Sequence, residues 1–154
     1  MLSSTPYFAK LYIAGRLADA GWNVYFPHRD EGFDFVISKV IDGVPLLRTV
    51  QVRGEYPSEE KGDPIAVGSE DKLTQTHPET VLAIPYFSIT SPQIPICVAY
   101  LPRASLKSHA LGFRCQPATY RRGKPYPRKK YQKYFDDIGI QRLDSEGWSR
   151  DFGG

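Results

Sequence analysis

The stretch that decides the fold spans residues 33–54 and reads FDFVISKVIDGVPLLRTVQVRG. Two runs rich in β-branched and aromatic residues, 33–39 and 46–54, flank the dipeptide Asp42-Gly43. This dipeptide is typical of two-residue turns between antiparallel strands, because both of its residues tolerate positive φ angles. The stretch therefore predicts a β-hairpin.

The turn also predicts the register of this hairpin. A two-residue turn pairs Ile41 with Val44, and the same register places Asp34 beside Gln51 on a polar face. A slip by one residue would mix the polar and apolar faces. Because Pro45 has no backbone donor, we expect the turn end of the hairpin to be frayed or to lie at an edge.

The rest of the chain alternates between helical and strand-like patterns. Thr5, Pro6 and Gly21 mark the ends of a first helix. Its predicted apolar stripe consists of Phe8, Leu11, Tyr12, Gly15 and Ala18, and Ala14 and Leu17 widen it. Further strands are predicted at 21–27, 80–87, 95–101 and 111–115, further helices at 103–110 and 127–138, and a long loop at 55–79. This order predicts an α/β fold with a central mixed sheet flanked by helices.

Length and composition limit the class of protein. A chain of 154 residues with 41% apolar residues can bury one core and leaves little room for a second domain. Its two cysteines cannot form a disulfide framework. No apolar stretch approaches the ~20 residues of a spanning helix, and the N-terminus has no signal-peptide pattern. We therefore expect a cytoplasmic protein with no membrane partner.

Positive charge is concentrated in one segment. Residues 119–135 hold seven basic and no acidic residues, while the rest of the chain holds 13 basic and 17 acidic residues. Such asymmetry favours a polyanionic partner, of which nucleic acid is the commonest, although a solvated lysine-rich helix face remains an alternative. The candidate nucleic-acid contacts are Arg48, Arg121, Arg122, Lys124, Arg128, Lys129, Lys130 and Lys133.

A row of polar residues follows the second strand of the hairpin. Gln51, Arg53 and Glu55 alternate along the chain, so they share one face, and Asp34 lies next to them. Charged groups on a half-buried face need a reason. An ion pair between Asp34 and Arg53 would be one such reason, and Glu55 alone reads best as the first residue of a solvated loop.

The predicted order of helices and strands resembles that of a known protein superfamily. It is similar to the core of the PD-(D/E)XK, or restriction-endonuclease-like, nuclease superfamily. That core consists of a helix, a strand, a strand that carries Asp, a turn and a strand that carries acid-x-Lys. Residues 7–54 carry the resemblance, which implies a single domain over 1–154 with an αβββαβ core and the basic segment 119–135. Members of this superfamily cut DNA with a divalent metal, usually magnesium.

The resemblance implies a role for each residue of the polar row. Asp34, Gln51 and Arg53 stand at the catalytic positions, and Asp34, Gln51 and Glu55 are the candidate ligands of Mg²⁺ or Mn²⁺. Asp30 and Glu31 are further possible ligands. The chain departs from the pattern in three ways. Lys10 stands where some members carry a helix glutamate, and Gln51 replaces an acid, as in some members, with an uncharged oxygen ligand. Arg53 replaces a lysine, although a guanidinium does not readily lose a proton.

Three functions follow as alternatives. The first is a metal-dependent DNA endonuclease, a hydrolase of phosphodiester bonds. The second is a nuclease-like domain that binds nucleic acid without cutting it, and the third is a protein-interaction module on the same fold. Cutting at palindromic sites would favour a homodimer, because a two-fold axis matches the symmetry of such a site.

Overall fold

A mixed five-stranded sheet organises the chain. The computed structural model describes residues 6–29, 32–57, 79–102, 107–109, 112–114, 116–145 and 147–148. The elements are α1 (Tyr7–Asp19), β1 (Asn23–Tyr25), β2 (Phe35–Ile41), β3 (Val44–Val52), β4 (Val81–Tyr86), β5 (Cys97–Pro102), β6 (Lys107–His109), β7 (Gly112–Arg114), β8 (Ala118–Arg121), β9 (Lys124–Pro127), a 3-10 helix (Lys129–Tyr134) and α2 (Asp136–Arg142). The central sheet has the order β1-β2-β3-β4-β5, and β6-β7 and β8-β9 form two separate two-stranded sheets. The α/β class with a central mixed sheet is therefore confirmed.

The β2-β3 hairpin has the predicted register. Ile41 pairs with Val44 across the turn, where Asp42 and Gly43 adopt φ angles of 51° and 79°. The turn end is not frayed, because the ladder runs through Val40 and Pro45 to the turn. Next to a two-residue turn this pair is of the non-hydrogen-bonded kind, so a proline there removes no bond to β2. The expected edge position is confirmed, because within the described residues β3 pairs with β4 only at Val50–Val52.

Helix α1 packs on one face of the sheet, and of the predicted stripe it buries only Ala14 and Leu17. The residues that it buries are Ala9, Ile13, Ala14 and Leu17, whereas Phe8 and Leu11 are 43% and 44% exposed. The small alanines let the helix backbone approach the strands closely, and the larger residues turn toward its flank. No helix among the described residues has the length and apolar character needed to cross a membrane.

Two apolar clusters cover the two faces of the sheet. The first joins α1 and α2 to β2–β5 and includes Ile13, Leu17, Val50, Val52 and Ile140. The second joins β4 and β5 to the β8-β9 hairpin and the 3-10 helix. Strands β4 and β5 are buried along their whole length, as expected for strands covered on both sides.

The C-terminal half departs from the predicted elements. The single helix over 127–138 is wrong: a 3-10 helix ends at Tyr134, Phe135 is extended, and Asp136 opens α2 with a φ of 54°. The helix over 103–110 is wrong where the chain is described, because 107–109 form β6. The strand over 111–115 is confirmed for Gly112–Arg114.

Two glycines in helices should respond in opposite ways to alanine. A Cβ at Gly139, which is buried in α2, would collide with the backbone carbonyl of Tyr134, whereas a Cβ at Gly15 would meet nothing within 4 Å. We expect Gly139→Ala to lower the free energy of unfolding by about 1–3 kcal/mol because of overpacking, and Gly15→Ala to raise it by up to about 1 kcal/mol through helix propensity. Urea unfolding followed by circular dichroism measures both.

A tolerated Gly139→Ala variant would contradict this packing of α2. Gly15→Ala serves as the matched control, because it makes the same substitution in a helix with no neighbour in the way.

Candidate active site and nucleic-acid interface

Asp34 lies where the β2-β3 ladder ends. Its backbone nitrogen donates to the carbonyl of Val50 at 2.8 Å, and its Oδ2 accepts a bond from the amide nitrogen of Val52 at 2.7 Å. A side-chain oxygen thus replaces the next backbone carbonyl of the ladder. The carboxylate is held against the peptide that links Gln51 to Val52.

The other oxygen of this carboxylate has a partner on α1. Lys10 Nζ lies 3.0 Å from Asp34 Oδ1, and the exposed fractions of the two side chains are 28% and 12%. Lys10 therefore occupies the helix position at which the resemblance implied an acid. The alternative ion pair between Asp34 and Arg53 is not formed between these two described residues; Lys10 takes that place.

The row Gln51, Arg53 and Glu55 follows one face of the sheet. Gln51 pairs with Leu82 of β4, and Glu55 forms an isolated parallel bridge with Tyr86. Backbone bonds from Arg53 to Ala83 and from Glu55 to Pro85, both 2.9 Å, carry the pairing beyond β3. All three side chains are half-buried. By strand alternation they lie on the face opposite to Val52 and α1.

This arrangement brings together only part of the predicted site. Asp34 contacts the backbone between Gln51 and Val52, while Lys10 reaches it from the α1 side of the sheet. Gln51 and Arg53 project from the other side. The acid therefore lies between the two faces, at the open end of the β2-β3 ladder.

Glu55 is not the first residue of a solvated loop. Its carbonyl accepts a bond from Phe87 N at 2.9 Å, in continuation of the pairing with β4. Burial of the carboxyl raises its pKa to about 7 from an ordinary value of 4.5. A carboxyl with this pKa exchanges a proton near neutral pH.

The donor atoms of the site suit a hard cation. Carboxylate oxygens of Asp34 and Glu55 and the amide oxygen of Gln51 are of the type that Mg²⁺ and Mn²⁺ prefer. Glu55, however, follows Gln51 by four residues of extended chain, or about 13 Å, so the structure does not bring it to the same point. Asp34 keeps lone pairs beyond its two present contacts, because each carboxylate oxygen has two. Within the described residues no group of three or more His, Cys, Asp or Glu side chains is placed around one point, and Asp30 and Glu31 lie outside those residues. An ion here would rely on Gln51 as a neutral ligand.

Arg48 is not a candidate nucleic-acid contact in this structure. The residue is 2% exposed, and its Nη1 lies 3.0 Å from Oε1 of Glu79. Its Nη2 donates to the carbonyls of Leu143 and Ser145 at 3.0 and 2.7 Å. Arg48 follows the buried alternation of β3, so its charge stabilises the C-terminal segment against the sheet and is inaccessible to a phosphate.

The tip of the β8-β9 hairpin places three exposed cations near the polar row. Arg121, Arg122 and Lys124 are exposed, and Arg122 has a φ of 54° in the turn. Next to them, the hydroxyl of Tyr120 lies 2.9 Å from the carbonyl of Glu55 and 2.7 Å from that of Phe87. This hydroxyl anchors the hairpin to the end of the row.

The remaining basic residues surround the 3-10 helix. Lys129 and Lys130 are exposed and Lys133 is half-buried. Arg128 donates to the carbonyl of Gln116 at 2.8 Å, so part of its donor capacity is used within the protein. Lys129 and Lys130 are the best placed of this group for phosphate contacts.

Sequence reasoning missed the aromatic residues beside this site. Tyr56 stacks on Phe87 with ring centroids 4.6 Å apart, and both follow the ends of strands that run parallel. Parallel neighbours end at the same edge of a sheet, so an aromatic residue after each of the two strands was the available signal.

Comparisons with known proteins identify no relative, since no family model, curated protein or solved structure matches the chain. The chemistry of the site is therefore interpreted from its own residues.

Glu55 should make the stability of the protein depend on pH. Its folded pKa of about 7 lies above the ordinary 4.5, so the folded state binds the extra proton, and stability falls as the pH rises from about 4.5 through 7. Glu55→Gln removes this loss. We therefore compare the free energy of unfolding of Glu55→Gln with that of the parent. We expect this difference, variant minus parent, to increase by roughly 1–2 kcal/mol as the pH rises from 5 to 8, after allowance for partial exposure.

The measurement is urea unfolding across this pH range in buffer with EDTA, which keeps metal from binding the carboxyl. A difference between the two proteins that does not change with pH would mean that Glu55 is solvated when the protein is folded.

Proposed function

We propose that this chain is a restriction-endonuclease-like protein that acts on nucleic acid and hydrolyses phosphodiester bonds of DNA with a divalent metal bound near Asp34. The observation that carries the proposal is the 2.7 Å bond between the Asp34 carboxylate and the Val52 amide. It holds an acid from one strand against the segment Gln51-Val52-Arg53 of the next.

The topology supports the finer assignment of the fold. Helix α1 precedes three antiparallel strands, and β4 then runs parallel to β3. The helix and the three antiparallel strands are the order of elements that the resemblance implied for residues 7–54. The helix that an αβββαβ core places between β3 and β4 would fall in residues 58–78, which lie outside the described residues. Asp34 precedes β2 and Gln51 lies near the end of β3, so the sheet itself fixes both residues.

The residues of the site have distinct tasks in this mechanism. Asp34 and Gln51 would hold magnesium or manganese, whereas Glu55 lies about 13 Å along the extended chain from Gln51 and is not placed to share that ion. The metal ion, when bound, supplies a water of lowered pKa and polarises a phosphoryl oxygen. Arg53 neutralises the charge that develops on the phosphate, a task suited to a guanidinium because it needs no loss of a proton.

The basic residues account for affinity. Arg121, Arg122 and Lys124 project from a turn that Tyr120 anchors beside Glu55, and Lys129 and Lys130 add exposed charge. Contacts of this kind bind the phosphate backbone without reading its sequence, and they weaken steeply with salt.

One observation favours a second function, which is binding without cleavage. Lys10 already places a cation 3.0 Å from Asp34 Oδ1, and Gln51 adds no negative charge. A site with a built-in ammonium attracts a metal less than one with two free acids. Under this alternative the protein retains DNA at low salt and does not nick it with Mg²⁺ or Mn²⁺.

Substitution of Asp34 tests the first function. We expect Asp34→Asn to reduce Mg²⁺-dependent nicking of a supercoiled plasmid by roughly a hundredfold, because it removes the acidic ligand while its amide oxygen can still accept from Val52. The control is Asp42→Asn, which makes the same change at the turn of the same hairpin and should cut at the parental rate. Equal activity of the two variants would remove Asp34 from the mechanism.

Lys10 provides an independent test. Lys10→Gln removes the ammonium that competes for Asp34, so the Mg²⁺ concentration for half-maximal nicking should fall about fivefold, the equivalent of one weak ion pair. Lys10→Arg keeps the charge and should leave this concentration near the parental value. Loss of nicking in Lys10→Gln would instead make Lys10 a participant in the chemistry.

A further inference from the structure

Two exposed aromatic rings pack on a buried one where β3 and β4 end. Tyr56 stacks on Phe87 with an interplanar angle of 4° and a centroid distance of 4.6 Å, and Phe8 of α1 meets Phe87 edge-on at 6.5 Å. Phe87 is fully buried, while Tyr56 and Phe8 remain 42% and 43% exposed. We call these three residues the aromatic platform.

The position of Tyr56 is fixed by its surroundings. A Cβ at Gly54 would lie 3.2 Å from Cε2 and the hydroxyl of Tyr56, so the absence of a side chain at Gly54 lets the ring fold back. Glu55 lies between Gly54 and Tyr56 in the chain. Its backbone nitrogen donates to the carbonyl of Pro85, and its carbonyl accepts a bond from the nitrogen of Phe87. The ring is therefore pre-positioned over Phe87, and one large aromatic surface faces solvent at low entropic cost.

The platform adjoins the basic turn of the β8-β9 hairpin. Tyr120 bonds to the carbonyl of Phe87 at 2.7 Å, and Ile89, two residues later, donates to the carbonyl of Gly123 at 3.0 Å. Gly123 lies between the exposed cations Arg122 and Lys124. At this end of the sheet the rings lie on the α1 face with Phe8, while the β8-β9 hairpin packs on the opposite face. A nucleic acid that contacts both must pass around the end of the sheet.

We infer that the aromatic platform binds an unpaired base of a nucleic acid whose phosphates contact the basic turn. Aromatic rings stack on any base, and neighbouring cations follow the backbone, which is the combination by which proteins hold single strands. Bases in an intact duplex offer their faces only to each other. The inference rests on the proposed function and narrows its substrate to single-stranded or locally opened nucleic acid.

Binding of fluorescent oligonucleotides tests this inference in buffer with EDTA and low salt, where nothing is cut. The probes are a 12-nucleotide oligothymidylate and a duplex of the same length, followed by anisotropy. We expect tighter binding of the single strand. Tyr56→Ala should weaken that binding about tenfold and leave the duplex affinity unchanged, whereas Tyr56→Phe should retain the parental values.

Tyr25→Ala is the matched control. Tyr25 is 55% exposed on the edge strand β1, whereas the β8-β9 hairpin packs on β4 and β5 at the other side of the central sheet. Loss of Tyr25 should therefore not change either affinity. Should Tyr56→Ala fail to fold, Tyr56→Trp places an indole on Phe87, and its fluorescence should be quenched by oligothymidylate and not by the duplex.

The outcomes separate the inference from the proposed function. Equal affinity for both probes with no effect of Tyr56→Ala, or no quenching in Tyr56→Trp, overturns the platform and leaves a protein that binds duplex. Failure to bind either probe at low salt overturns the nucleic-acid function itself and leaves a protein partner for this surface.

Discussion

The two-residue turn at Asp42 and Gly43 sets the register on which the sheet and its candidate site both depend. Positive φ angles at both positions close the turn so that Ile41 faces Val44. A shift of one residue would move the buried side of β3 to the other face of the sheet and separate Asp34 from the Val52 amide. A local backbone preference therefore determines a contact at the opposite end of the hairpin.

The parallel pairing of β3 with β4 determines where function concentrates. Because the two strands run in the same direction, the residues that follow them, Glu55 and Phe87, meet at one end of the sheet and bond to each other. Tyr120 attaches the basic hairpin at the same point. The polar row and Tyr56 thus meet Phe87 and the basic hairpin at this end of the sheet, although the three segments lie far apart in the chain.

Charge in this protein has two different uses. Arg48 is enclosed by Glu79 and by the carbonyls of Leu143 and Ser145 in the C-terminal segment, which accept hydrogen bonds from its guanidinium. Arg121, Arg122 and Lys124 remain in water on a tight turn. Basic residues that look equivalent in the sequence therefore differ in what they can bind, because only the exposed ones can reach a phosphate.

The sequence by itself determined the elements whose signals are local. The hairpin and its register, the first helix with Gly21 after its end, and the shared face of Gln51, Arg53 and Glu55 all follow from turn chemistry and periodicity. The alternation of Leu46, Arg48, Val50 and Val52 also indicated a buried Arg48, a signal outweighed by its charge. Only the tertiary structure decided the partner of Asp34, the burial of Glu55, the break at Phe135 and the stacking of Tyr56 on Phe87. Each of these depends on which distant segments pack together, and the free energy of such contacts is not encoded in the pattern of any single segment.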